Sequence, residues 1–152
     1  MNVDVLKFRS DKMGKVLSIY VGKVRGIEKT KVDSVKLIEG WGLEGDAHGG
    51  DWDRQVSIFP IEALEKVPAD KKDEVLQGGF SENIVISGIP LEDLAVNKRL
   101  KIGEALIQII YIGKEELKET GRNYIVSREG RFGRVISGGR VKTKDNVQLF
   151  LE

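Results

Sequence analysis

Short runs of apolar residues, separated by charged and glycine-containing segments, dominate the chain. The clearest run, Ala105–Ile112, is rich in β-branched residues and lies between Gly103 and Gly113, which predicts a strand. Residues 14–21 begin with apolar and polar side chains that alternate with a period of two, as in a half-buried strand. Similar patterns predict further strands at 34–38, 55–59, 83–86, 134–136 and 146–151.

Helical patterns are short in comparison. Pro60 can begin a helix, because the first turn does not need the N–H that proline lacks, and Pro68 would end it. The apolar face of this helix would consist of Ile61, Ala63, Leu64 and Val67. Residues 91–94 and 114–120 predict only one or two further turns each.

Glycine-rich segments separate the predicted strands. Glycines concentrate at 40–50, 78–79 and 138–139, which predicts turns at these places. A chain of 152 residues is long enough to bury one hydrophobic core. Many short strands joined by glycine turns favour a single mainly β domain, a barrel or a sandwich, with small helical inserts.

Charge and composition argue against several classes of function. The chain has 25 Lys and Arg against 24 Asp and Glu, so its net charge of +1 argues against a nucleic-acid-binding surface. No apolar run approaches the roughly 20 residues of a membrane span, and the first residues lack a signal-peptide hydrophobic region. We therefore expect a cytoplasmic protein without a membrane or nucleic-acid partner. The absence of cysteine excludes disulfides, thiolate nucleophiles and a persulfide on this chain.

The densest polar segment is residues 44–55, which contains the only histidine of the chain. His48 can titrate near neutral pH, and Arg54 can bind a phosphate or carboxylate through two parallel hydrogen bonds. The glycines of this segment allow backbone N–H groups to approach a ligand. A surface turn is the alternative interpretation. A metal site is less favoured, because one histidine and no preset ligand spacing support it weakly; its ligands would be Asp46, His48, Asp51 and Asp53.

Two further segments carry candidate binding residues. Asn83 stands at the start of a predicted strand and could hydrogen-bond a planar ring edge, although it could equally satisfy turn backbone. Four arginines lie within thirteen residues and could form an anion pocket; they are Arg122, Arg128, Arg131 and Arg134. A solvated, ion-paired face explains these arginines equally well.

These segments, in this order, resemble the small stand-alone members of the MOSC family, named after the C-terminal domain of molybdenum-cofactor sulfurases. The resemblance is most specific at 42–50 with 54–57, and weaker at 14–19, 80–84, 101–105 and 128–142. It implies a mainly β fold, a distorted mixed β-barrel of the pyruvate-kinase-barrel type with a few short helices. We therefore expect one MOSC-like domain at 14–152, preceded by an N-terminal extension at 1–13.

The resemblance also implies a site for the molybdenum cofactor, molybdopterin, and at family level for molybdenum ion and pyridoxal phosphate. The residues that would bind this anionic pterin are Asp46, His48, Arg54, Gln55, Glu82, Asn83, Lys114, Arg128 and Arg134. Family members are thought to carry sulfur on a cysteine after the central strand, where this chain has Glu116 at about that position. A carboxylate cannot form a persulfide. The implied protein partners are a molybdoenzyme or a cysteine desulfurase.

Three functions are open on the sequence. The first is a cofactor-binding or carrier domain associated with sulfuration or molybdoenzyme maturation, in which Arg54 or Arg134 would hold the phosphate. The second is an enzyme, either with His48 as acid or base, oriented by Asp46 or Asp51, or with sulfur supplied by a partner. The third is an interaction protein whose ligand site has decayed.

Overall fold

The protein is described by a computed structural model that covers residues 8–23, 29–66, 69–72, 82–113 and 129–150. Across these residues the strands are Phe8–Val21 (β1), Thr30–Val32 (β2), Ser34–Ile38 (β3), Gly42–Leu43 (β4), Val56–Pro60 (β5), Ile84–Ser87 (β6), Arg99–Ile102 (β7), Ala105–Ile112 (β8), Arg131–Ser137 (β9), Gly139–Lys142 (β10) and Asn146–Phe150 (β11). Short 3-10 helices span Ile61–Lys66, Ala69–Lys71 and Leu91–Asp93. None of the helices in these ranges has the length and apolar character that crossing a bilayer would require.

Seven of the described strands close into a barrel. Their order is β11-β7-β8-β9-β5-β6-β1, and β1 pairs back onto β11, so neither end of this order is left as an open edge. The barrel is mixed because β5 and β6 run parallel, whereas the other six barrel pairs are antiparallel. The short strand β2 extends β1, and β10, β3 and β4 form a second, three-stranded sheet. The predicted mixed β-barrel is therefore confirmed.

The core follows from the alternation of side chains along the strands. In β3 and in the first part of β8, buried positions alternate with less buried ones, so one face of each strand packs into the interior. In β5 every residue is buried, and this strand lies between β9 and β6 in the barrel wall. Phe59 of β5 packs with Ala63 and Val85 in a second small apolar cluster, to which the helix Ile61–Lys66 contributes. The predicted helix after Pro60 is thus confirmed at its start, while Val67 and Pro68 lie outside the described residues.

The predicted and observed strand boundaries agree best where apolar and polar residues alternate clearly in the sequence. Strands β3 and β8 have the predicted bounds, whereas β1 begins at Phe8 and not at residue 14. The sequence did not predict β2, β4, β7 or β10 as strands of their own. Gly42 and Gly139 lie in β4 and β10, so the interpretation of these two glycines as turn residues was wrong. The helix predicted at 114–120 and the turn at 78–79 lie outside the described residues.

Candidate functional site

The loop at residues 44–55 joins β4 to β5 and is held in place by a buried carboxylate. Asp46 is only 3% exposed. Its Oδ1 accepts a hydrogen bond of 2.8 Å from the backbone N–H of Gly22, and its Oδ2 accepts one of 3.3 Å from the N–H of His48. Hydrogen bonds of this kind, to an ionised acceptor, are among the stronger ones in proteins. Asp46 therefore ties the loop to the end of β1.

Two indole rings brace the same loop. The ring of Trp41 packs so closely on Gly49 that a Cβ atom at this position would overlap it. The Nε1 atom of Trp52 donates a hydrogen bond of 2.7 Å to the carbonyl oxygen of His48. The sequence suggested that the glycines of this loop leave space for a ligand. At Gly49 that space is occupied by the ring of Trp41.

His48 and Asp46 form a close pair at this loop. The Nδ1 atom of His48 lies 3.7 Å from Oδ2 of Asp46, and the side chains are 36% and 0% exposed, respectively. This distance is too long for a hydrogen bond but short enough for attraction between a carboxylate and a protonated imidazole. The arrangement orients the imidazole with respect to a fixed charge.

Arg54, at the end of the loop, is surrounded by aromatic rings from three parts of the chain. Its Cζ atom lies 5.9 Å from the ring centroid of Trp52, 5.6 Å from that of Tyr111 and 5.9 Å from that of Phe132. Tyr111 and Phe132 stack on each other, with centroids 5.1 Å apart and an interplanar angle of 16°. The Nε atom of Arg54 also donates a hydrogen bond to the hydroxyl of Tyr111. We call these four residues the arginine cage.

The arginine cage positions a positive charge on the barrel wall. Tyr111 belongs to β8 and Phe132 to β9, which are neighbours in the sheet and pair directly at this point. Contacts between a guanidinium and aromatic faces are favourable, more so when they are shielded from water. Arg54 is half-buried. Because Tyr111 and Phe132 belong to strands, its charge is held in place by the barrel wall as well as by the loop.

Arg134 lies in the adjoining strand β9 and is engaged by two carboxylates. Its Nε atom is 3.0 Å from Oδ1 of Asp53, and its Nη1 atom is 3.0 Å from Oδ1 of Asp51. Hydrogen bonds to Asp53 and then Asp51 raise the pKa of Arg134 above its ordinary value. An anionic ligand would have to compete with both carboxylates for this guanidinium, so phosphate binding by Arg134 stays a prediction.

Asn83 uses its side-chain amide within the barrel. Its Oδ1 accepts hydrogen bonds of 3.1 Å from both the N–H and the hydroxyl of Ser57, and its Nδ2 donates one of 3.1 Å to the carbonyl oxygen of Tyr20. Asn83 is 2% exposed, and the neighbouring Glu82 is 1% exposed. These contacts link β1 to β5 and favour a structural role, while recognition of a pterin edge by this pair stays a prediction.

Gln55 is fully buried below the loop. Its Oε1 accepts a hydrogen bond of 3.0 Å from the N–H of Val135, but its Nε2 has no hydrogen-bond partner among the described residues. Its backbone also lies close to Gly42, where a Cβ atom would stand 2.5 Å from the Gln55 carbonyl oxygen. A buried donor without a partner is in general unfavourable by about 1–3 kcal/mol.

Arg131, one of the four clustered arginines, serves the fold. It is 4% exposed, and its guanidinium donates to the carbonyl oxygens of Leu94, Leu91 and Glu129 at 3.0, 3.2 and 2.6 Å. Burial lowers the pKa of Arg131, and the carboxylate of Glu129 opposes this change. Arg131 thus fixes the helix Leu91–Asp93 to β9 and is not available to an anion pocket.

Several predicted residues cannot be placed. Lys114 and Arg128, together with Arg122 and Glu116, lie outside the described residues. Among the residues that are described, no group of three or more His, Cys, Asp or Glu side chains is close enough together to hold a metal ion. Asp46, His48, Arg54 and Gln55 belong to one loop, and Arg134 joins its edge through Asp51 and Asp53.

Sequence reasoning missed the aromatic members of the site. Only Trp52 had a local signal, because it stands two residues before Arg54. Tyr111 stands near the end of a predicted strand and Phe132 lies in the arginine-rich segment before another, and nothing near either residue in the sequence indicates a contact with Arg54. Trp41 was not noticed, although its position four residues before Gly45 places it next to the loop.

Comparisons with known proteins agree on this fold. A family model described as "MOSC domain" matches residues 44–148, more than half of the chain. A solved structure titled "Crystal structure of an hypothetical protein" is similar at 25% identity with a TM-score of 0.68, covering 94% of this chain and 72% of that one. A search of curated proteins finds no significant match.

Two solved structures with names are also similar in fold. The YuaD protein of Bacillus subtilis matches with a TM-score of 0.65 at 17% identity, covering 92% of this chain and 97% of that one. YiiM of Escherichia coli matches with a TM-score of 0.62 at 23% identity, covering 90% of this chain and 69% of that one. At these identities the likeness concerns the fold alone.

Proposed function

We propose, from the premise that this chain belongs to the MOSC domain family, that the loop at 44–55 and the arginine cage bind an anionic pterin of the molybdenum-cofactor class. The family is in general related to the molybdenum cofactor. The observation that carries the proposal is the position of Arg54, a cation held among three aromatic rings beside the loop.

The residues of this site supply a cation and aromatic faces of the kind that such a ligand would use. A guanidinium binds phosphate oxygens through two parallel hydrogen bonds, and aromatic faces accept a planar ring system. Arg54 would hold the phosphate, and His48 would contact a ligand oxygen. Gln55 has a buried amide nitrogen without a partner below the loop, which a polar ligand atom would satisfy if it reached that depth.

The same proposal limits the chemistry of this chain to binding. The 152 residues contain no cysteine, so none of them can carry sulfur as a persulfide. The cofactor would supply the molybdenum and sulfur chemistry, while this chain would hold and present it. The transferable sulfur would then be the outer sulfur of a persulfide on a partner's cysteine, and the partner would be a cysteine desulfurase or a molybdoenzyme. The cytoplasmic location expected from the sequence stays a prediction.

Anaerobic calorimetric titration with molybdopterin tests this function. We expect saturable binding that weakens about tenfold in Arg54→Ala, because a charge-assisted hydrogen bond contributes at least about 1.4 kcal/mol. Tyr111→Phe removes the hydroxyl that accepts from Arg54 but keeps the ring, and we expect a smaller loss. Lys98→Ala is the control, because Lys98 is an exposed cation outside the loop and the arginine cage.

The outcomes separate a cofactor carrier from an interaction protein. Binding that depends on Arg54 but not on Lys98 supports a cofactor carrier. A cooperative thermal melt without any binding of molybdopterin would contradict the proposal and favour an interaction protein. Binding of molybdopterin with unchanged affinity in Arg54→Ala would place the ligand elsewhere and equally overturn the assignment of the arginine cage.

A second candidate, acid–base catalysis, rests on the pair of His48 and Asp46. A buried carboxylate at 3.7 Å can orient an imidazole and stabilise its protonated form. In that case His48→Gln would abolish turnover of a molybdopterin species while leaving its affinity nearly unchanged. Equal losses of affinity and turnover would assign His48 to binding.

A further inference from the structure

A polar cleft of about 360 Å³ lies on a different part of the molecule, between the β7–β8 turn, β10 and the start of β11. Its walls carry three cationic side chains and two carboxylates, from Lys101, Arg140 and Lys142 and from Glu104 and Asp145. This volume falls within the range of sites for small molecules. Its lining is polar, which favours a charged ligand.

The cleft is separate from the loop at 44–55. It adjoins the turn at Gly103 and Glu104, where β8 begins, whereas Arg54 contacts Tyr111 near the end of β8. The six residue-to-residue steps along the strand from Ala105 to Tyr111 span about 20 Å. A ligand held in the cleft would therefore not touch the arginine cage.

Both carboxylates of the cleft are bound to backbone. Oε1 of Glu104 accepts a hydrogen bond of 2.8 Å from the N–H of Arg140, and Oδ2 of Asp145 accepts one of 2.8 Å from the N–H of Lys142. These N–H groups belong to β10, which stands at an edge of its three-stranded sheet. The two carboxylates thereby cap the edge of this strand, and they are not paired with its cationic side chains.

The cationic side chains of β10 are therefore exposed to solvent and are not paired with these two carboxylates. Arg140 and Lys142 are exposed and stand two residues apart, so they project from the same face of the strand. Nη1 of Arg140 donates a hydrogen bond of 3.2 Å to the hydroxyl of Ser34. Among the described residues neither Arg140 nor Lys142 has a carboxylate partner. Lys36 of β3 pairs with Arg140 in the register and adds a further positive charge.

We propose that this cleft binds the phosphate group of a small phosphorylated molecule. A guanidinium and an ammonium from one strand face, next to Lys101 of β7, offer donors from several directions. A tetrahedral phosphate dianion accepts from such a set, whereas a carboxylate presents only two oxygens in one plane. This site is independent of the function proposed above, because it shares no residue with the loop at 44–55.

The test is a titration of the full chain with pyrophosphate, followed by NMR and held at constant ionic strength with chloride. We expect saturable shifts of the backbone amides of Gly103, Lys142 and Asn146. In Lys142→Gln and in Arg140→Gln the affinity for pyrophosphate should fall about tenfold, the effect of one charge-assisted hydrogen bond. Lys98→Gln removes the same charge from an exposed lysine outside the cleft and should change nothing.

Three outcomes would overturn this assignment. One is a set of shifts that grows linearly with pyrophosphate and spreads over the surface lysines, which indicates general screening. Another is unchanged affinity in both Arg140→Gln and Lys142→Gln. The third is saturable binding that is lost in Arg54→Ala and retained in Lys142→Gln, because the phosphate would then occupy the arginine cage.

Discussion

The loop at 44–55 and the cleft beside β10 use the same kinds of charged side chain in opposite ways. At the loop, the exposed carboxylates of Asp51 and Asp53 bind the guanidinium of Arg134, so its positive charge is compensated. At the cleft, Glu104 and Asp145 bind backbone N–H groups, so these carboxylates do not form ion pairs with the neighbouring cations. The positive charge that the loop region offers is that of Arg54, which aromatic rings hold in place.

This difference shows that whether a cation is available to a ligand depends more on the partners of the nearby carboxylates than on the number of charges. The chain as a whole is nearly neutral, with a net charge of +1. A carboxylate that accepts from backbone N–H groups stabilises the fold and leaves adjacent cations available. A carboxylate that pairs with an exposed arginine contributes little to stability and masks that cation.

The largest expected effect concerns the carboxylate that is buried most deeply at the loop. Asp46→Ala leaves the N–H groups of Gly22 and His48 without their acceptor, which should lower the free energy of unfolding by about 2–3 kcal/mol. Urea denaturation measures this change. Asp51→Ala is the control, because its side chain is 90% exposed and its loss should leave stability close to that of the wild type. Equal losses in both variants would mean that Asp46 does not anchor the loop.

A smaller effect separates the two regions directly. Asp145→Ala removes the acceptor for the N–H of Lys142 and should lower the free energy of unfolding by about 1 kcal/mol. Asp53→Ala removes an ion pair with Arg134 instead, and the same urea experiment should detect almost no change. If Asp53→Ala proved the more destabilising of the two, the contrast between backbone-bound and arginine-bound carboxylates would fail.

The sequence predicted the barrel well where the side chains alternate strictly. Strand β8 was predicted with its observed bounds because a run of β-branched residues between two glycines has few other solutions. Strands β4 and β10 were missed because Gly42 and Gly139 resemble turn residues. At Gly42, with a φ of +135°, the strand runs so close to Gln55 that only glycine fits, and this contact depends on the tertiary fold.

The candidate site was predictable only in its local part. His48, Arg54 and Gln55 were found because they lie in one polar segment. The partners that define their roles come from distant positions, since Tyr111 is 57 residues from Arg54 and Tyr20 is 63 residues from Asn83. Hydrogen-bond partners at such separations are decided by strand order, which a single sequence does not reveal.

The smallest expected effect is that of a double variant in which the arginine of the loop region loses its carboxylate partners, as at the cleft. The double variant Asp51→Asn with Asp53→Asn removes both negative charges from Arg134 while keeping side chains of the same size. Arg134 would then be available to an anion, and we expect the affinity of the loop region for pyrophosphate to rise about threefold, as one exposed charge interaction allows. Chemical shifts of the Arg134 amide report this binding, and those of Gly103 serve as the internal reference for the cleft. An unchanged affinity at Arg134 would mean that its two carboxylates do not mask it, and that the loop differs from the cleft for reasons other than charge pairing.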